Sequence, residues 1–264
     1  MIEETETSPQ SGDLAGRVVL ITGGTRGIGL GLARALGAMG MRLAVTGRKP
    51  DRVADTEALL NDAGVEHMAA AIDVRDADGT NAFVADIMKR WGRLDGLVAN
   101  AQSFRPVTPL TDVTDADMNT LFDTGPKGTL WSMQAVHPPM VAAGRGRIVT
   151  MATSLGLTGA PGYGPYAASN EAIRSLTRTA AREWGPAGIT ANCVLPASVA
   201  HRLPPTGDGD RQSVFDEMYA DQPLGRDGDP ETDIAPLVAF LLSDASQFVT
   251  GQSISADGGG VLRP

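Results

Sequence analysis

Seven short runs of apolar and β-branched residues punctuate the chain, at 17–22, 42–46, 67–72, 94–99, 147–151, 189–195 and 253–256. Between them lie longer stretches rich in Ala, Leu and Arg with helical spacing, near 28–39, 51–63, 79–91, 115–143, 163–184 and 231–243. Strand and helix alternating in this way predict an α/β fold, a parallel sheet with crossover helices. The short connections leave no room for a second core, so the pattern predicts one domain over 15–264. The residues before it, to about 14, have little to bury and read as a disordered acidic tail. One segment breaks the pattern: 196–222 contains "LPPTGDGD" and has no regular period. A loop of that length in a compact domain is usually a lid or a binding element, here a substrate loop.

Composition narrows the function. The net charge of −9 argues against nucleic acid or an anionic membrane as partner, because both need a basic face. A single cysteine, Cys193, excludes internal disulfides and a cysteine-based metal site, and it fits a reducing cytoplasm. The start, "MIEETETSPQSGD", lacks the basic flank and apolar core of a signal peptide. No apolar run approaches the roughly 20 residues of a membrane span. The three histidines, His67, His137 and His201, have no metal-ligand spacing.

The first strand, "RVVLIT", runs into "GGTRGIG" and then a helix. Gly23, Gly27 and Gly29 let the backbone turn sharply and approach a pyrophosphate, whose charge rests on the helix N-terminus. A tight βα turn alone would explain three glycines, but their place between first strand and first helix favours a dinucleotide. The carboxylate that ordinarily ends the second strand and binds the adenosine ribose is missing. Gly47 and Arg48 stand there instead. With Arg26 in the glycine loop, Arg48 offers guanidinium donors for a 2′-phosphate, which points to NADP(H). The plainer reading of Arg48 is a solvated surface residue.

Taken together, "TGGTRGIG", "AIDV" around Asp73, "AREWGPAGITANCVLP" and "FLLSDASQFVTGQSISADGG" resemble the short-chain dehydrogenase/reductase family, over about residues 14–260. The resemblance implies a Rossmann-type doubly wound seven-stranded parallel sheet with helices on both faces. It places the cofactor against Gly23, Thr25, Arg26, Gly27, Ile28 and Gly29, with Arg48, Asp73 and Val74 at the adenosine end. Asn100, Asn170 and Pro196 complete the cofactor set, and Asp73 contacts the adenine. It also implies a homo-oligomer, a tetramer joined through the helices 115–143 and 163–184 and the last strand.

The family's catalytic Asn, Ser, Tyr and Lys are altered. Tyr166 matches the tyrosine, Thr153 stands for the serine, Asn170 for the lysine and Gly125 for the asparagine. Gln102 replaces the glycine of an N-A-G motif, Ala197 replaces the glycine after Pro196, and His201 falls where a threonine often holds the nicotinamide amide. An unassisted phenol ionises near ~10, so phenolate is scarce at neutral pH without a neighbouring ammonium. Donation from Tyr166 and Thr153 survives, which suits reduction or the polarising of a carbonyl or leaving group. Asn170 keeps an amide able to bind a ribose hydroxyl.

Lesser candidates have bland readings beside them. Tyr163 is a second tyrosine before Asn170 and reads as an aromatic facing the lid. Arg174, the nearest cation on the helix face, reads as pointing to solvent or another subunit. Lys127 reads as solvated, His67 and His137 as structural, and Cys193 as a small buried residue. Gly125-Pro126 predicts a kink in the helix 115–143. The substrate pocket is expected from 158–163, 102–109 and 197–222. Three functions follow. The first is an NADP(H)-dependent oxidoreductase on a carbonyl or activated double bond of a small molecule. The second is a non-redox dehydratase, isomerase or cyclase using Tyr166, Thr153 and His201. The third is a nucleotide-binding protein without turnover.

Overall fold

Alternate residues of β1 (Val18–Thr22) point to opposite faces, and all five are buried, as a central strand covered on both sides requires. The chain is described by a computed structural model over residues 14–105, 107–198 and 222–262. The other strands are β2 (Arg42–Gly47), β3 (His67–Ala71), β4 (Gly96–Ala99), β5 (Gly146–Met151), β6 (Ile189–Pro196) and β7 (Ser253–Ala256). Among the described residues they form one sheet in the order β3-β2-β1-β4-β5-β6-β7, parallel at every pairing.

Helices cover both faces. Val19 and Ile21 pack with Leu32 and Leu36 of α1 (Gly27–Ala38) and Val238 of α8 (Ala235–Leu242). Val18 and Leu20 face Ile87 of α3 (Ala77–Trp91), Val136 of α5 (Gly128–Ala143) and Ala180 of α7 (Gly164–Trp184). Each Val, Leu or Ile side chain among these, fully buried, is worth about 1.5–3 kcal/mol relative to exposure. Among the described residues the remaining α-helices are α2 (Pro50–Asp62), α4 (Asp115–Phe122) and the single turn α6 (Leu155–Thr158). Leu14, which its polar neighbours place at the end of a tail, is itself buried in the first of these clusters.

The stretch 115–143 is not one helix with a simple kink. Between α4 and α5 the chain widens into a π-helical turn over Asp123–Lys127. Pro126 has no N–H to give and its ring crowds the carbonyl one turn back, so a wider turn is the cheaper geometry. The Gly128 N–H then reaches back five residues to the Asp123 carbonyl. Pro138 and Pro139 lie inside α5, which runs on to Ala143.

At the opposite end of the strands from the glycine loop, three arginines converge on Asp244. Arg17 lies 2.7 Å from its carboxylate, Arg145 2.9 Å and Arg147 3.3 Å. Arg17 and Arg147 are buried. Burial pushes the Asp244 carboxyl up, but the hydrogen bond from Arg17 and the charges of all three arginines hold it below its ordinary value. A lowered carboxyl contributes stability that is complete above its unfolded pKa, near ~4, and is lost as pH falls through the folded value. Asp244→Asn should therefore lower the unfolding free energy at pH 7 by roughly 2 kcal/mol. That is less than the ~3–5 of a fully buried pair, because Asp244 is half exposed. Urea midpoints of the two proteins should converge below about pH 4; a constant difference between them down to pH 3 would rule out this charge as its source.

Candidate active site

The strand order reverses between β1 and β4, and the C-terminal ends of these strands open onto a crevice at that switch point. Gly23, at the end of β1, has φ +66°, a left-handed geometry that costs other residues a Cβ clash. Its pro-Cβ position lies 2.9 Å from the Ala101 Cα, so this loop presses directly on the end of β4. Asn100 holds it there: its Nδ2 donates to the Thr22 and Gly23 carbonyls, both at 3.1 Å. Gly29 packs against the Gly23 carbonyl too closely for any side chain. Gly47 is constrained likewise, since a Cβ there would sit 2.5 Å from the Thr25 side chain. Thr25 and Ile28 are buried, whereas Arg26 is exposed at the start of α1. α1 has neither a side-chain cap nor an acidic residue in its first turn, leaving its first N–H groups ready for an anion.

At the adenosine end, Arg48 is exposed after β2. Asp73 is gripped by Arg75, whose Nε and Nη2 donate to its two oxygens at 2.9 and 2.7 Å. That hydrogen bond, with the charges of Arg75 and Arg48, outweighs partial burial and lowers the Asp73 carboxyl. The carboxylate is thus matched by Arg75, and among the described residues no salt bridge is seen for Arg48. Val74 packs on Gly128 of α5. Pro196 ends β6 opposite Ala256, and the Ala197 N–H donates to the Ala256 carbonyl.

Tyr166 lies in the first turn of α7 and is 3 % exposed. The ring of Phe104 meets it edge-on, with centroids 5.2 Å apart. Asn170, one turn on, is fully buried. Its Nδ2 donates to the Tyr166 backbone carbonyl at 2.8 Å, which leaves Oδ1 buried with no partner among the described residues. Thr153 lies just beyond β5, and its Oγ1 accepts from the Leu155 N–H at 3.3 Å. Gly125 faces α7: a Cβ on it would rest 3.7 Å from Ser169 and 3.8 Å from Ile173. His201 lies outside the described residues.

Whether a nicotinamide dinucleotide suits these residues can be judged from the chain itself. The glycines leave backbone open where a pyrophosphate would lie, the α1 N–H groups await an anion, and Asn170 Oδ1 awaits a donor such as a ribose hydroxyl. The fit is good. A family model described as Enoyl-(Acyl carrier protein) reductase matches residues 23–260. The chain is 34 % identical over 242 residues to the 3-oxoacyl-(acyl-carrier-protein) reductase FabG of Staphylococcus aureus, spanning 91 % of this chain and 96 % of that one. The chain belongs to the short-chain dehydrogenase/reductase family. Its architecture agrees with a short-chain type dehydrogenase/reductase from Mycobacterium ulcerans, with a TM-score of 0.84 and 30 % identity over 93 % of this chain and 90 % of that one. A carveol dehydrogenase from Mycobacterium avium, solved in complex with NAD, gives 0.85 and 28 % over 95 % and 99 %. The protein is thus an oxidoreductase of this family, and the family uses a nicotinamide cofactor.

Several members of this constellation were not singled out by sequence. Phe104 covers Tyr166, Thr22 accepts from the Asn100 and Ala101 N–H groups, and Ser169 Oγ donates to the Tyr166 carbonyl at 2.9 Å. An aromatic residue in an otherwise polar loop, one of only six phenylalanines, is the one signal that could have marked Phe104. The cleft beside Tyr166 is lined by Arg105, Thr108, Gly162 and Tyr163, from two of the three segments expected to build it. Val113, Asp117 and Leu121 from around α4 join them. Of the third segment, 197–222, residues 199–221 lie outside the described residues. Arg174 departs from its expected exposure: it pairs with Glu171 at 2.6 Å and donates to Ser253 at 3.1 Å, largely buried. Lys127 is exposed and pairs with Asp123 at 2.6 Å. His67 bonds the Val65 carbonyl, and His137 stacks on Trp184 at 4.5 Å. Burial pushes the Cys193 thiol up to about 11, which suits a packed residue rather than a nucleophile. Among the described residues no cluster of three or more His, Cys, Asp or Glu could hold a metal, and no helix is long and apolar enough to cross a membrane.

Proposed function

We propose that the protein reduces a carbonyl or activated double bond of a small organic molecule, using NADPH, with Tyr166 as proton donor. The observation that carries this reading is the place of Asn170. Its buried amide stands one turn from Tyr166, where a cation would favour phenolate, and the next cation along the helix, Arg174, is matched by Glu171. A phenol without an adjacent ammonium gives a proton more readily than it takes one at neutral pH.

NADPH, when bound, supplies the hydride. The Tyr166 hydroxyl gives its proton to the substrate oxygen as charge develops there, and is reprotonated from solvent. Thr153 already accepts a hydrogen bond from Leu155, so its own hydroxyl hydrogen remains available to the same oxygen. Asn170 Oδ1 accepts from a ribose hydroxyl and fixes the nucleotide beside Tyr166. Phe104, packed on the Tyr166 ring, limits water at the reacting atoms.

NADPH is favoured over NADH because Arg48 and Arg26 are exposed at the adenosine end while Asp73 is matched by Arg75. Charge-assisted hydrogen bonds of this kind are worth about 1.5–3 kcal/mol, so the preference should be roughly 10–100-fold. Arg48→Asp should reverse it. Equal affinity of the unaltered protein for the two cofactors, measured by fluorescence titration, would sink the assignment. Oxidation of NADPH with a panel of ketones and enones tests the reaction itself. Product formed without cofactor consumption would instead support a dehydratase, isomerase or cyclase on the same residues.

A further inference from the structure

Buried polar groups are almost always hydrogen-bonded, and Gln102 is an exception. The segment 100–104 joins the glycine loop to the ring of Tyr166. At one end Asn100 holds the Gly23 carbonyl, and at the other Phe104 rests on Tyr166. The backbone is pinned on each side of Gln102. The Ala101 N–H donates to Thr22 Oγ1 at 3.1 Å, and the Ser103 N–H donates to Thr124 Oγ1, in the π-helical turn, at 3.0 Å. Between these anchors, Gln102 Oε1 is buried and has no hydrogen-bond partner among the described residues. An amide oxygen accepts and cannot donate, so the missing partner is a donor.

We infer that Gln102 is a specificity-determining residue whose Oε1 accepts a hydrogen bond from a hydroxyl or amide N–H of a ligand held between the glycine loop and Tyr166. The inference rests on the preceding reading of the site as one for NADPH and a carbonyl compound. Two sources of that donor fit: the sugar or carboxamide of the cofactor, and a substrate bearing a hydroxyl next to its carbonyl. A ligand with an apolar group in that place is disfavoured, because it would enclose Oε1 without pairing it.

The test uses Gln102→Leu, which removes the acceptor at similar volume. Oε1 has no partner among the described residues, so the variant should melt at the same temperature or higher. Melting is measured with and without NADPH, and NADPH oxidation is followed with hydroxyacetone and with acetone. A substrate donor predicts that the unaltered protein prefers hydroxyacetone by roughly 10-fold, that Gln102→Leu loses this preference, and that the NADPH-induced rise in melting temperature is kept. A cofactor donor predicts the converse, a smaller NADPH-induced rise with the ketone preference unaltered. Gln102→Met should repeat whichever result is found. Unchanged preference together with an unchanged rise overturns the inference, as does a free variant that melts well below the unaltered protein. Should neither ketone oxidise NADPH in either protein, the proposed reduction is in trouble on its own account. The rise with NADPH, and the further rise when hydroxyacetone is added to the NADPH complex, then decide Gln102: a smaller value of either in the variant supports the inference, and equal values of both overturn it.

Discussion

Tyr166→Phe is expected to lower kcat/KM for NADPH-dependent reduction by about 10²–10⁴-fold, the usual contribution of a positioned general acid. NADPH binding should survive, because the glycine loop, Arg48 and Asn170 hold the nucleotide in the proposed site. The substitution keeps the ring that Phe104 packs against and removes only the hydroxyl. Steady-state rates with a saturating ketone, beside a fluorescence titration of NADPH, separate the two effects. Native turnover left intact would place the donor elsewhere, with Tyr163 and His201 the next residues to replace.

Asn170→Lys should change direction more than rate. It places an ammonium one turn from Tyr166 in a fully buried position, where charges interact strongly. The ammonium favours phenolate, so alcohol oxidation with NADP should rise at neutral pH by roughly tenfold or more, one pKa unit being a factor of ten. The pH at which oxidation reaches half its maximum should fall, while the initial rate of reduction changes less. The bond from Asn170 to the Tyr166 carbonyl is lost at a cost of about 1 kcal/mol, visible as a lower melting temperature. If the variant still binds NADPH but loses the native activity, the amide has a role of its own. If native turnover also proceeds without net cofactor consumption, the non-redox reading takes precedence.

The sheet was legible because its signals are local. Runs such as "VVLI" and "CVL" are apolar throughout, as suits strands buried on both faces, and glycines mark the turn after β1. Edges were less legible: α3 begins at Ala77 because the Asp76 side chain accepts from the Gly79 N–H, a cap easily passed over. The Pro126 disturbance was foreseeable as a kink, but its resolution into a π-helical turn depends on what Gly128 can reach. The long-range partners are not written in any window. Arg174 looked like a free cation although Glu171 stands three residues before it on α7, and Ser253 becomes its neighbour only once α7 and β7 are packed together. Phe104 reaches Tyr166 from 62 residues away, and an aromatic in a loop carries no address.

The carbonyl of Tyr166 receives two side-chain donors, Ser169 Oγ and Asn170 Nδ2, in addition to its share of the helix ladder. Helix ends ordinarily fray, and a tyrosine three residues from one would wander on the nanosecond scale of a terminus. Here the end is stitched from below, and Pro165 fixes a backbone angle immediately before it. The Ala167 N–H, bonded to the Tyr163 carbonyl, should exchange with solvent more slowly than that of an ordinary frayed helix end. The proposed proton donor is therefore mounted on a turn held by side chains as well as backbone, and adjustment to ligands of different shape falls to the loops that surround it.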